Sequence, residues 1–135
     1  MIDERYAAGF FDGEGCIHIA RNVRVILSGC FVPGLLERFV ERWGGKVSSA
    51  VWSKNTCRPG VRWEITGPKA ARFLDDVFPH LIEKRKQAEL AREYLAYKQS
   101  LNVRGGKGYS GEQRIRILDL EIQVRKEKHI EHHYS

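Results

Sequence analysis

The chain has 135 residues, 42% of them hydrophobic and 30% charged, with 23 lysines and arginines against 17 aspartates and glutamates for a net charge of +6. That length suits one domain burying roughly two-thirds of its unfolded surface, and the basic balance favours a polyanionic partner, nucleic acid ahead of an anionic membrane. Cys16, Cys30 and Cys57 are odd in number and lack C-x-x-C spacing, which argues against a disulfide framework and against zinc.

Asp3 is an N-cap type of residue with Glu4 behind it at the positive helix end, so a first helix is expected through Tyr6, Ala7, Ala8, Gly9, Phe10 and Phe11. Gly13 and Gly15 end it. "CIHIARNVRVILS" reads as two short strands with a tight turn near Arg21 and Asn22: Ile17 and Ile19 alternate with Cys16, His18 and Ala20, and Val25 and Leu27 with Arg24, Ile26 and Ser28. Pro33 suits the first turn of a second helix, "PGLLERFVERW", stopped by Gly44 and Gly45.

Two further strands follow. "KVSSAVWSK" puts Val47 and Val51 on one side, and "VRWEIT" does the same with Val61, Trp63 and Ile65. The other side carries Lys46, Ser48, Trp52, Lys54, Arg62, Glu64 and Thr66, a polar, cationic face suited to something wet and charged. A third helix starts near Gly67-Pro68 and is broken at Pro79; a longer one runs from Leu81 to Leu101 with Leu90, Tyr94 and Leu95 inward. After the glycine-rich "NVRGGKGYSG", Ser110 and Gln113 form a capping box for a last helix to about Lys128. The order predicts an α+β domain with a four-stranded antiparallel sheet, helices on one face, and an extra C-terminal helix. Residues 1–102 are expected to form the core, with the loop and helix of 103–135 packed on the same domain.

In "AAGFFDGEG", residues 7–15, Gly9 and Gly13 lie four apart on one helical face beside Ala8. Glycine inside a helix costs about 1 kcal/mol relative to alanine, so a compensating close contact, such as another helix backbone, is expected. Glu14 leaves from the end of that helix next to the polar sheet face. If the contacting helix belongs to a second copy, two Glu14 carboxylates meet near the two-fold axis, where paired acids can hold Mg²⁺ beside a phosphodiester. Spacing by itself leaves the plainer outcome open, a glycine-shaped turn with a solvated Glu14. No second copy of the motif is present, since "LDDVFP" (74–79) has the acids without the glycines.

Residues 7–15 closely resemble the motif of the LAGLIDADG homing endonucleases, and the layout from about residue 5 to 101 is similar as well, including "FVERWGGKV" and "PHLIEKRKQ". The resemblance implies an αββαββα fold and a site-specific double-strand DNA endonuclease. Because each chain carries one motif, it implies a homodimer on a long, near-palindromic target. It further implies that Ala8, Gly9, Asp12 and Gly13 form the helix–helix contact, and that Glu14 and Gly15 serve a divalent metal, Mg²⁺. Lys84 would be the active-site lysine, with Lys86 and Lys54 as alternatives, neutralising the transition-state phosphate.

Ala7 replaces the leucine that opens the motif, and the end of the second strand offers only Ser28 as a polar residue before Gly29 and Cys30. Arg24, Lys46, Lys54, Arg58 and Arg62 are the DNA-contact candidates, with His18 and Trp52 behind them. The alternative is a non-cleaving DNA- or RNA-binding protein, maturase-like or regulatory, on the same scaffold. No small-molecule cofactor and no membrane partner are expected. The "MIDERYAAGF" start lacks the profile of a signal peptide, so the expected setting is the cytoplasm of a bacterial or phage-infected cell.

Overall fold

Asp3 caps the first helix as its chemistry dictates: its carboxylate accepts the backbone N–H of Arg5 at 2.7 Å and that of Tyr6 at 3.3 Å. These two bonds hold the carboxyl below its ordinary pKa. The helix, α1, spans Glu4–Glu14 and buries Ala7, Ala8 and Phe11. It ends at Gly15 for a steric reason, because a Cβ there would sit 2.1 Å from the Phe11 ring. The glycine lets the chain turn over the phenylalanine and enter the sheet at once.

The computed structural model describes residues 1–50, 59–101 and 108–132, with side chains described as far as Lys128. Strand β1 is Gly15–Ala20, β2 Asn22–Gly29, β3 Lys46–Ala50 and β4 Gly60–Thr66. All pairings are antiparallel and the spatial order is β1-β2-β4-β3. Arg21 alone turns the first hairpin, with φ at 65°. The last residues of the expected third strand, Val51, Trp52 and Lys54, lie outside the described residues. So do Cys57, Arg58, the loop segment 104–107 and the side chains of His129, His132 and His133.

The helices are α2 Leu35–Trp43, α3 Gly67–Val77, α4 Arg85–Leu101 and α5 Gly111–His132, with a 3-10 turn at Phe78–His80. Two starts differ from expectation. Pro33 lies before α2, because Val32 to Leu35 form a hydrogen-bonded turn with Gly34 at φ 90°. The long helix starts at Arg85 rather than Leu81, because residues 82–84 direct their N–H groups to Asp12 instead of continuing a helix. The last helix continues past Lys128, and its capping box forms as the sequence suggests: Gln113 N–H donates to Ser110 Oγ, and Ser110 N–H to Gln113 Oε1.

The apolar sheet face and α1, α2 and α3 enclose a cluster of aromatic rings. Trp63 lies 5.2 Å from Phe39 and 5.4 Å from Phe73, while Phe73 lies 5.2 Å from Phe11 and 4.7 Å from Trp43. Alternation along β4 places Trp63 inward, and its indole N–H donates to the Gly44 carbonyl at 2.8 Å. Gly45, at φ 87°, closes this corner, since a Cβ would come within 2.6 Å of Ile65. The α5 helix packs mainly along α4 and touches β1, burying Leu120 and Val124. No described helix is long and apolar enough to cross a membrane.

Candidate functional site

Along α1, inward and outward residues separate cleanly. Ala7, Ala8 and Phe11 are fully buried in the chain's own core. Gly9 and Gly13 are exposed, and a Cβ on either would meet nothing within 4 Å. These two glycines therefore serve no contact with the described residues of the chain. Ala8, expected beside them at a helix–helix contact, sits on the opposite, buried side. Tyr6, on the same helix, is exposed as well. Tyr6 stacks on Phe10, which meets Phe31 edge-on at 5.0 Å.

Asp12, also expected at that contact, is engaged within the chain. Its carboxylate accepts the N–H of Ile82 at 2.7 Å, of Glu83 at 3.3 Å and of Lys84 at 3.0 Å. It caps the entry to α4 from seventy residues away and fixes α1 against it. Replacing Asp12 with alanine orphans these donors and is expected to cost about 1–2 kcal/mol in chemical denaturation. An unchanged unfolding midpoint would show that the cap carries no stability.

Lys84 is 8% exposed, and its ammonium donates to the Asp12 carbonyl at 2.6 Å. A cation is well placed on the last carbonyls of a helix. In this structure, then, the lysine braces the end of α1 instead of projecting freely from the surface. Lys86 is more exposed and lies 3.8 Å from Glu89. Lys54 lies outside the described residues.

Glu14 ends α1, exposed and with no hydrogen bond or ion pair to a described residue. Two residues on, Cys16 begins the polar face of the sheet, whose register is explicit. Ser28 lies opposite Arg62, which lies opposite Ser48; Ile26 lies opposite Glu64, which lies opposite Lys46; and His18 lies opposite Arg24. Arg24, Lys46 and Arg62 thus share one surface with Glu14 at its edge. Arg58 lies outside the described residues. Glu64 sits among the cations, 2.7 Å from Arg62 and 3.9 Å from Arg24. Such exposed pairs contribute little stability.

Sequence reading missed Lys128. From α5 its ammonium reaches to 3.5 Å from Cys16 Sγ, adding a cation to the β1 side of the polar face. No motif signals this, because it depends on how α5 lies against the edge strand. Its effect shows at His18, whose pKa is lowered from 6.5 by burial first and then by Lys128, Arg24 and Arg62, with Glu64 opposing. In the window between the lowered value and 6.5 the unfolded chain binds more protons, so stability falls as pH drops through it. An NMR titration of His18 is expected to give a midpoint below 6.5 that rises in Lys128→Gln. A midpoint unmoved by that substitution would remove Lys128 from the face.

Among the described residues no cluster of three or more His, Cys, Asp or Glu could hold a metal ion. Among the described residues, one chain brings a single free carboxylate, Glu14, to the site. A Mg²⁺ ion commonly keeps several waters and takes one or two carboxylates, so Glu14 fits as one ligand of a shared ion and not as a complete site.

No protein-family model and no curated protein matches the chain. Solved structures do. An archaeal intron-encoded homing endonuclease, I-Vdi141I, complexed with DNA, matches with a TM-score of 0.71 and 18% identity over 92% of this chain and 82% of its own. I-CvuI, in complex with its target, gives 0.57 and 17% over 90% of this chain and 93% of its own. The LAGLIDADG homing endonuclease I-GzeII, with its DNA target, gives 0.60 and 17% over 93% of this chain but 44% of its own. The chain has the fold of the LAGLIDADG homing endonucleases.

Proposed function

We propose that this chain is one half of a site-specific double-strand DNA endonuclease of the homing type, acting as a homodimer that requires a divalent metal. The observation that carries the reading is the outward edge of α1, where Gly9 and Gly13 leave the backbone bare and Glu14 stands at its end without a partner among the described residues. Bare glycines on a helix suit a close backbone-to-backbone contact. A two-fold axis along that strip brings two Glu14 carboxylates together, supplying the second acid that one chain lacks. Coverage of 82% of I-Vdi141I and 93% of I-CvuI, against 44% of I-GzeII, supports a chain with a single such unit.

Each chain contributes one sheet face. Arg24, Lys46 and Arg62 on strands can reach phosphates and guanine edges in a major groove, with Lys54 and Arg58 as further cations from the intervening segment. Two faces related by a two-fold axis imply a near-palindromic target. Glu14, with the adjoining Gly15 backbone, would hold the metal, whose chemistry there would be polarisation of the phosphate and activation of a water. Lys84 holds the last turn of α1 in place, and its ammonium serves the transition-state charge only by exchanging the Asp12 carbonyl for phosphate.

A second reading, DNA or RNA binding without cutting, is favoured by that engagement of Lys84 and by Ser28 being the one polar side chain at the end of β2. Duplexes selected for binding from a randomised pool separate the two when incubated with Mg²⁺ or with EDTA. Cutting in Mg²⁺ alone supports the nuclease; tight binding with intact DNA at every protein concentration supports the second reading.

A further inference from the structure

A cavity of about 690 Å³ lies at the far end of the molecule's first hairpin, between Arg21 and the helices α4 and α5. Its size is that of a small-molecule site. Its floor is polar and buried: Glu121 is 8% exposed and Tyr94 is fully buried. Glu121 Oε1 accepts the Tyr94 hydroxyl at 3.2 Å and the Arg21 N–H at 3.3 Å. Oε2 has no described partner, and no described buried side-chain oxygen is left unsatisfied. This oxygen, on a residue that lines the cavity, is therefore not a sealed, unsatisfied atom and is placed to accept one hydrogen-bond donor.

Burial, the Glu121 charge and the hydrogen bond to it hold the Tyr94 hydroxyl well above its ordinary pKa, and Tyr109 adds to the shift. The floor thus keeps the phenol protonated, with its hydroxyl donated to Glu121. Tyr109, Ile117 and Leu118 give the walls an aromatic and aliphatic character. At the rim stand Arg21, Arg114 and Lys98, the last donating to the Arg21 carbonyl. Donor-seeking floor, flat apolar walls and cationic rim match a molecule with an amino group, a planar ring and a phosphate, in that order.

We propose that this cavity binds a nucleotide whose base carries an exocyclic amino group, with that amino group on Glu121 Oε2 and the phosphate at Arg114 and Arg21. A carboxylate oxygen is a good acceptor for the N4 amino group of cytosine. It repels the carbonyl that uracil carries in the same place. The nucleotide can be a free monophosphate or an unpaired nucleotide at the end of a bound nucleic acid; both present the same groups. The site is built from residues outside the sheet face and does not depend on the nuclease reading.

The test is calorimetric titration of the whole chain with cytidine and uridine 5′-monophosphates, without metal. Binding of the cytidine form at least about tenfold tighter is expected, because a site made for a donor rejects its isostere. Glu121→Gln should abolish or reverse that preference, and Arg114→Glu, at an exposed rim position, should weaken both ligands equally without changing the melting temperature. If Glu121→Gln does not fold, the comparison on the unaltered chain and Arg114→Glu still decides. Duplexes ending in an unpaired cytosine or uracil separate the sources: tighter binding than the monophosphate, with the same preference, assigns the nucleic acid, and weaker binding assigns the free nucleotide. Equal affinity for the two monophosphates, or no binding of either at millimolar concentration, overturns the proposal whatever the outcome of the cleavage assay.

Discussion

Glu14→Gln is expected to lower the rate of DNA cutting by on the order of 10²–10³-fold, the size of loss when one charge-stabilising group leaves an active site. DNA affinity should stay the same or rise slightly. The carboxylate is exposed and has no partner among the described residues, so its removal breaks no contact with them, and a neutral amide repels phosphate less than an acid does. The melting temperature should hardly move for the same reason. Rate constants for cutting, with binding measured separately in EDTA, check the split. A variant that cuts as fast as the unaltered chain removes Glu14 from the chemistry, and one that loses binding and cutting together makes it a binding residue.

Gly9→Leu is expected to abolish self-association while leaving each chain folded. In the isolated chain a Cβ at Gly9 meets nothing within 4 Å, and replacing an interior helical glycine gains on the order of 0.5–1 kcal/mol. At concentrations where the chain is monomeric, Gly9→Ala should therefore unfold at a temperature a few degrees higher. At an interface of touching backbones the leucine side chain must push the helices apart, so association fails. Light scattering and thermal unfolding report on the two effects separately. If Gly9→Leu unfolds the monomer, the glycine serves the chain's own packing, contrary to the open space beside it.

Much of the fold was legible because its signals are local. The Asp3 cap, the alternation that turns Trp63 inward, the Pro68 start of α3 and the Ser110–Gln113 box are set by residues within a few positions of one another. The start of α4 was not, since it is decided by Asp12 across seventy residues of chain. Asp12 and Lys84 are tied to each other's backbones, whereas the resemblance placed one at a dimer contact and the other at the scissile phosphate. Helical periodicity grouped Ala8 with Gly9, but the burial boundary of α1 runs between them.

The cationic sheet face was readable from period-two alternation at Arg24, Lys46 and Arg62. Lys128 and Glu121 were not readable, because both act through the lie of α5 against β1 and α4. Charged residues on a long helix look alike in sequence until the packing selects one to be buried. Glu121 is that one, and its burial turns an ordinary helical acid into the floor of a cavity.

The central claim is that the chain carries half of a site and a second copy completes it. The mass of the complex on a selected near-palindromic duplex, measured by sedimentation in Mg²⁺-free buffer, tests this most directly. Two chains per duplex are predicted, falling to one or none in Gly9→Leu. A single chain per duplex that cuts both strands when Mg²⁺ is added would contradict it.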